Sequence, residues 1–183
     1  MSLLAIIDFE TRSRVDIKTA GSDLYAQDPS TDILCMGAVF SDDDDNRKFL
    51  WYPERYGLNG IGSISHFFLA LRKHIDEGGL VAAHNARFDQ HIWECIAVNE
   101  YGFPELRLND WYCTAAQARV NALPASLDRA TQALDTKFRK SKNEGLRLIQ
   151  YLSIPDKSNG EFREDLRKLE EMGSTKIGWP TSV

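Results

Sequence analysis

Apolar and polar residues alternate in blocks whose lengths predict the elements of the chain. Leu3-Leu4-Ala5-Ile6-Ile7 is an unbroken apolar run that ends in Asp8-Phe9-Glu10-Thr11. A short run of this kind, rich in Ile, predicts a strand covered on both faces at the centre of an α/β sheet. Residues 12–32 mix charged, small and turn-forming residues, among them Gly21 and Asp28-Pro29-Ser30, and predict a loop or short irregular excursion. Ile33–Phe40 and Lys48–Tyr52 predict two further strands, paired as a hairpin around the acidic turn of Asp42 to Asp45 and Asn46. A loop follows over residues 53–62, with Pro53, Gly57, Gly60 and Gly62. Behind Ser63, residues Ile64, Phe67, Phe68, Leu71 and Ile75 recur at helical spacing, and Gly78-Gly79 ends that helix. Leu80–His84 predicts a fourth strand. Phe88, Ile92 and Ile96 lie on one face of a helix for which Asn85 is a good N-cap. Thr114–Asn121 and Ser126–Asp135 predict two helices joined by Leu123-Pro124, and Phe162, Leu166, Leu169 and Met172 predict a last helix ending at Gly173. The order of elements predicts an α/β fold, a mixed sheet of three antiparallel strands followed by parallel ones, flanked by helices.

Composition narrows the class. A chain of 183 residues with 43% hydrophobic content suits one domain with its own core. Its 27 acids against 22 bases, net charge −5, provide no global basic field for nucleic acid. A bound metal can supply positive charge locally, so a nucleic-acid enzyme remains compatible with that balance. Cys35, Cys95 and Cys113 are odd in number, far apart and in no metal-ligand spacing, as expected of buried thiols in a reducing compartment. No apolar stretch approaches membrane-spanning length and no basic-then-apolar leader precedes the first strand, so the expectation is a soluble, cytoplasmic protein with no membrane partner. The four aspartates at 42–45 lack the ligand spacing of a calcium loop and are expected to be a solvated hairpin tip.

The chemistry gathers elsewhere. Strand alternation puts Asp8 and Glu10 on one face and Phe9 on the other. Two carboxylates at the end of a covered strand repel each other and are costly to desolvate. A divalent cation removes both objections, since Mg²⁺ and Mn²⁺ favour carboxylate oxygens. The plainer alternative is that the two acids mark where the strand reaches solvent. Asp89 falls in the first turn of its helix, where an acid gains about 0.3–1 kcal/mol from the dipole. It could also be a third carboxylate delivered to the same strand ends, where ligand sites of α/β sheets gather. Lys137–Arg147 holds five bases (Lys137, Arg139, Lys140, Lys142, Arg147) against Glu144, which suits a phosphate-contacting edge or a solvated connector equally. Trp51, Tyr52, Trp93, Trp111 and Tyr112 serve either core or base stacking, and the sequence does not separate the two.

Asp8-Phe9-Glu10-Thr11 followed by Asn85-x-x-Phe88-Asp89 resembles the first two motifs of the DEDD superfamily of 3′→5′ exonucleases. The order of elements is likewise that of a ribonuclease H-like fold. Thr11-Arg12-Ser13, Pro29–Leu34, Leu123–Leu127 and Gly145-x-Arg147-Leu148-Ile149 extend the likeness to the proofreading domain of phage and bacterial family A DNA polymerases, over roughly residues 3–172. The resemblance implies two-metal hydrolysis of phosphodiester bonds at single-stranded DNA 3′ ends, with two Mg²⁺ or Mn²⁺ ions. It implies that Asp8 ligates both ions and that Glu10 and Asp89 complete the coordination. Thr11 would contact the terminal nucleotide, Asn85 and Phe88 would support the sugar and the helix entry, and Asp110 would support the ligands from behind. The implied setting is the cytoplasm of a bacterial or phage-infected cell, with a polymerase domain in the full-length chain.

One part of the pattern is missing. The superfamily's last motif is Tyr-x-x-x-Asp or His-x-x-x-x-Asp, which supplies a fourth carboxylate and the side chain that orients the attacking water. No histidine lies beyond His91, and no tyrosine beyond Asp89 has an aspartate four residues later. After Gly173 the chain changes character. The expectation is therefore an exonuclease-like domain over residues 1–173, incomplete at its C-terminus and weakened in activity, with an atypical tail at 174–183. A divergent stand-alone protein is the other explanation of the gap. Two rival functions stay open: a catalytically inactive nucleic-acid-binding remnant, and a stand-alone RNA-trimming exonuclease.

Overall fold

The N-terminal apolar run forms β1 (Leu4–Arg12), the middle strand of a five-stranded sheet. The computed structural model describes residues 4–41, 48–60, 62–136 and 142–176. On one side of β1 lie β2 (Asp32–Phe40) and then β3 (Lys48–Trp51), each antiparallel to its neighbour; on the other lie β4 (Leu80–Ala83) and β5 (Trp111–Cys113), both parallel. The order β3-β2-β1-β4-β5 makes this an α/β fold with a mixed sheet flanked by helices, compatible with a ribonuclease H-like fold. The acidic stretch expected to link β2 and β3 lies outside the described residues.

Alternation along β1 divides the sheet into two faces. Ala5, Ile7 and Phe9 are buried on the first, packed with Met36, Ala38 and Phe40 of β2. Phe67 and Leu71 of α2 (Ile64–Asp76) cover this face, as do Ile92, Trp93 and Ile96 beyond β4. Trp93 is fully buried at the centre of a ring cluster, 6.1 Å from Phe9, 5.0 Å from Phe103 and 5.9 Å from Trp111, all edge-on. Its indole N–H donates to the Pro104 carbonyl at 2.8 Å. The aromatic roles left open by the sequence thus settle for Trp93 as core.

A second core covers the β2–β3 half of the opposite face. Leu34, Cys35, Leu50 and Tyr52 pack there against Leu148 and Leu152 of α7 (Lys142–Leu152) and Leu169 and Met172 of α8 (Leu166–Lys176). A register shift between Glu10 and Thr11 turns both Leu34 and Cys35 toward this layer. Over β1 itself the same face stays open, and Ile6 and Asp8 are exposed.

Several expectations need correction. Residues 12–32 are not a loop: α1 (Ile17–Gln27) starts at Asp16, whose carboxylate accepts the Lys18 N–H at 3.0 Å. Gly21 (φ 79, ψ 167) breaks α1 into two pieces, and only the second buries residues, Tyr25 and Ala26. Asn85 does not cap the helix behind it. It sits in the left-handed region (φ 70), which Asn tolerates, and α3 (Arg87–Ile92) starts after Ala86 with no side-chain cap. From α3 the chain passes through a π-helical stretch, Trp93–Ala97, into α4 (Val98–Tyr101). Phe162 precedes α8 instead of lying on it, and α8 runs on to Lys176, past Gly173. The helices expected at 114–121 and 126–135 are α5 (Thr114–Val120) and α6 (Leu127–Ala133). Residues 137–141 of the basic segment and 177–183 of the tail lie outside the described residues.

The Gly21 kink carries a prediction. A Cβ at Gly21 would meet nothing within 4 Å, so Gly21→Ala is opposed by backbone strain alone. That region of φ and ψ is essentially reserved for glycine, with strain of about 1–3 kcal/mol. Gly21→Ala should lower the urea unfolding free energy by that amount; an unchanged midpoint would mean that α1 can straighten without cost.

Candidate active site

β1, β4 and β5 run in parallel, so their C-terminal ends share one edge of the sheet. Ile6 pairs with Ala82, which puts Asp8 two residues beyond, level with His84 at the end of β4. The chain then turns through Asn85 and Ala86 into α3, bringing Asp89 back toward β1. Asp89 Oδ1 accepts the backbone N–H of Phe9 at 3.2 Å. Phe9 is the residue between Asp8 and Glu10, so the third acid is tied to the backbone linking the other two.

The three acids differ in exposure. Asp8 is exposed, while Glu10 and Asp89 are buried. Burial chiefly, then the charge of Asp8 and less so of Glu10, pushes the Asp89 carboxyl up to about 8; hydrogen bonds from the N–H groups of Phe9 and of Asp89 itself oppose the rise. Folding without metal therefore favours the protonated form of Asp89.

Among the described residues, no three His, Cys, Asp or Glu side chains stand arranged as a ready ligand set for a metal ion. The chemistry of the donors nonetheless fits a hard divalent cation, since all three are carboxylates.

The other residues singled out in the sequence divide between this site and elsewhere. Thr11 follows Glu10 directly; it is buried, and its hydroxyl lies 2.9 Å from the Tyr25 hydroxyl. Phe88 is half-buried one residue before Asp89, its ring 5.9 Å from that of Tyr25. Asn85 is exposed at the turn into α3. Asp110 is at the other end of the sheet. Trp111 pairs with Val81 and Val81 with Ala5, so Asp110 is level with Leu4 and roughly 13 Å along the strand from Asp8. There it accepts hydrogen bonds from the Arg107 backbone (2.8 Å) and guanidinium (3.0 and 3.2 Å), which hold its carboxyl below the usual range.

Two groups around the site carry little sequence signal. His84 is pinned between the Thr114 hydroxyl (3.0 Å) and the Ala125 carbonyl (2.7 Å), fastening the end of β4 to α5 and to the segment before α6. At the end of β1, Arg12 pairs with Asp32 at 3.3 Å, and Arg55 makes a second ion pair with that carboxylate. The Arg12 guanidinium also lies 4.9 Å from the Phe162 ring, a cation–π contact that ties the segment before α8 to the strand carrying Glu10.

The chain is 32% identical over 166 residues to a DNA polymerase of Bacillus phage SP02. The alignment covers 90% of this chain and 23% of the polymerase, so the chain spans less than a quarter of that relative's length. No protein-family model matches the sequence. Among the described residues no helix is long and apolar enough to cross a membrane.

Proposed function

We propose that this chain is a metal-dependent 3′→5′ exonuclease domain that removes nucleotides from single-stranded DNA ends in the service of a DNA polymerase. The observation that carries the reading is the Asp89–Phe9 hydrogen bond, which ties Asp89 to the backbone between Asp8 and Glu10. The similarity to a phage DNA polymerase supports the polymerase setting. Asp8, Glu10 and Asp89 would hold two Mg²⁺ or Mn²⁺ ions, with Asp8 shared between them. When bound, the ions would activate the attacking water and stabilise the leaving 3′ oxygen.

The chain's own residues supply the rest. Asp89 would give up its proton to solvent on holding a cation, so cation affinity should rise with pH. Thr11 holds the terminal nucleotide through its backbone and hydroxyl, and Asn85 and Phe88 flank the sugar at the entry to α3. The second reading is an inactive relative that binds nucleic acid without cutting it, since among the described residues the three carboxyls do not stand as a ready ligand set.

A time course on a 5′-labelled single-stranded oligonucleotide separates these readings. With Mn²⁺ a ladder shortening from the 3′ end is expected, and EDTA should abolish it. Binding without shortening would support the inactive relative and sink the exonuclease reading. Equal digestion of the matching RNA would move the substrate class to RNA.

A further inference from the structure

Resting on the exonuclease reading above, we propose that Tyr25 is a positioning residue of the site: its hydroxyl fixes the Thr11 hydroxyl and its ring braces Phe88, so that the contacts to the 3′-terminal nucleotide are set from α1. Tyr25 touches both motifs at once. Its hydroxyl is 2.9 Å from Thr11 Oγ1, just past the register shift that follows Glu10. Its ring packs 5.9 Å from Phe88, the residue before Asp89. Glu10 lies near enough for its charge to act on the phenol.

The backbone delivering Tyr25 is itself held. Its carbonyl accepts the Thr31 hydroxyl and the Asp28 N–H, and the Gly21 kink swings the second half of α1 inward. Tyr25 and Ala26 are the buried residues of α1, while Leu24 beside them is 60% exposed. The fold thus directs one polar aromatic side chain of this helix inward, onto Thr11 and Phe88. A hydroxyl at the end of a rigid ring, with two χ angles to restrain, holds a partner side chain at small entropic cost.

The test measures end recognition without catalysis. Binding of a 5′-fluorescein single-stranded DNA with a free 3′ hydroxyl is followed by anisotropy with Ca²⁺ as the cation, and circular single-stranded DNA reports binding that needs no end. Tyr25→Phe keeps the ring against Phe88 and removes only the hydroxyl. It should weaken binding of the linear strand about fivefold, the worth of one neutral hydrogen bond, and leave the circle unchanged. Thr11→Val should do the same, Thr11→Ser should recover part of what Thr11→Val loses, and Tyr25→Phe combined with Thr11→Val should be no weaker than Thr11→Val alone. Wild-type affinity in Tyr25→Phe, or a double variant weakened by the product of the two single effects, would overturn the positioning role. If Tyr25→Phe does not fold, Thr11→Val decides: wild-type affinity there would overturn the role, since the hydroxyl that Tyr25 holds would not be used. A wild-type protein that binds circles as tightly as linear strands would overturn the exonuclease reading itself.

Discussion

Asp89→Asn should stabilise the metal-free protein at neutral and alkaline pH while ending metal-dependent hydrolysis. The folded state raises the Asp89 carboxyl from 3.8 to about 8, chiefly by burial and then by the charge of Asp8. Between those values the folded protein keeps a proton that the unfolded chain has lost. The stability tied to this group is therefore fully present below about pH 4 and is lost as pH rises through about 8. At 1.36 kcal/mol per unit the whole shift amounts to on the order of 5 kcal/mol, a large part of the 5–15 kcal/mol typical of a domain. Asn has no charge to desolvate and keeps an oxygen for the Phe9 N–H. Urea unfolding in EDTA at about pH 5 and pH 9 should show a wild-type stability that falls relative to the variant. Parallel pH profiles for the two proteins would mean that Asp89 is not the perturbed group.

The fold was legible where a physical cause acts locally, and less so where it acts across the chain. β1, β2 and β4 could be read because apolar runs leave few alternatives to a covered strand. β5 carries no such signal, since Trp111–Cys113 is three residues long and owes its conformation to pairing with β4. α1 is hidden in the sequence for a different reason. Its turn-forming composition is real, but Gly21 serves as a kink inside a helix, and the apolar residues Ile17 and Leu24 that could have marked an inward face are exposed. Asn85 has the chemistry of a cap, yet the tight turn from β4 into α3 places it in the left-handed region instead.

Legibility of the site followed the same division. Asp8 and Glu10 are set by strand alternation, which the sequence carries outright. The approach of Asp89 to Phe9, eighty residues away, depends on the parallel pairing of β1 with β4, and only the spacing of two motifs anticipates it. Resemblance groups Asp110 with the site, but the parallel register of β5 carries it to the opposite edge, beside Arg107. Tyr25 has no signal at all: nothing in Leu24-Tyr25-Ala26 distinguishes the inward residue until the kink is known.

Asp8→Ala should lower metal-dependent nuclease activity by about a thousandfold or more with no loss of metal-free stability. As the acid proposed to be shared by both ions, Asp8 supports several kcal/mol of charge stabilisation during hydrolysis, and each 1.36 kcal/mol is tenfold in rate. Its contribution to folding has the other sign. Asp8 is exposed on the open face of β1, so truncation leaves no cavity in either core. Its charge is the second cause, after burial, of the raised Asp89 carboxyl, so Asp8→Ala should bring that group down and narrow the pH window over which stability is lost. A change within about 0.5 kcal/mol at pH 5, and a gain at pH 9, is the expected pattern in EDTA. Thermal melts at both pH values, run beside the oligonucleotide time course, separate the two roles. A metal-free Asp8→Ala protein that melts far below wild type at both pH values would make Asp8 a structural residue of the strand end, and the three carboxyls would need another explanation.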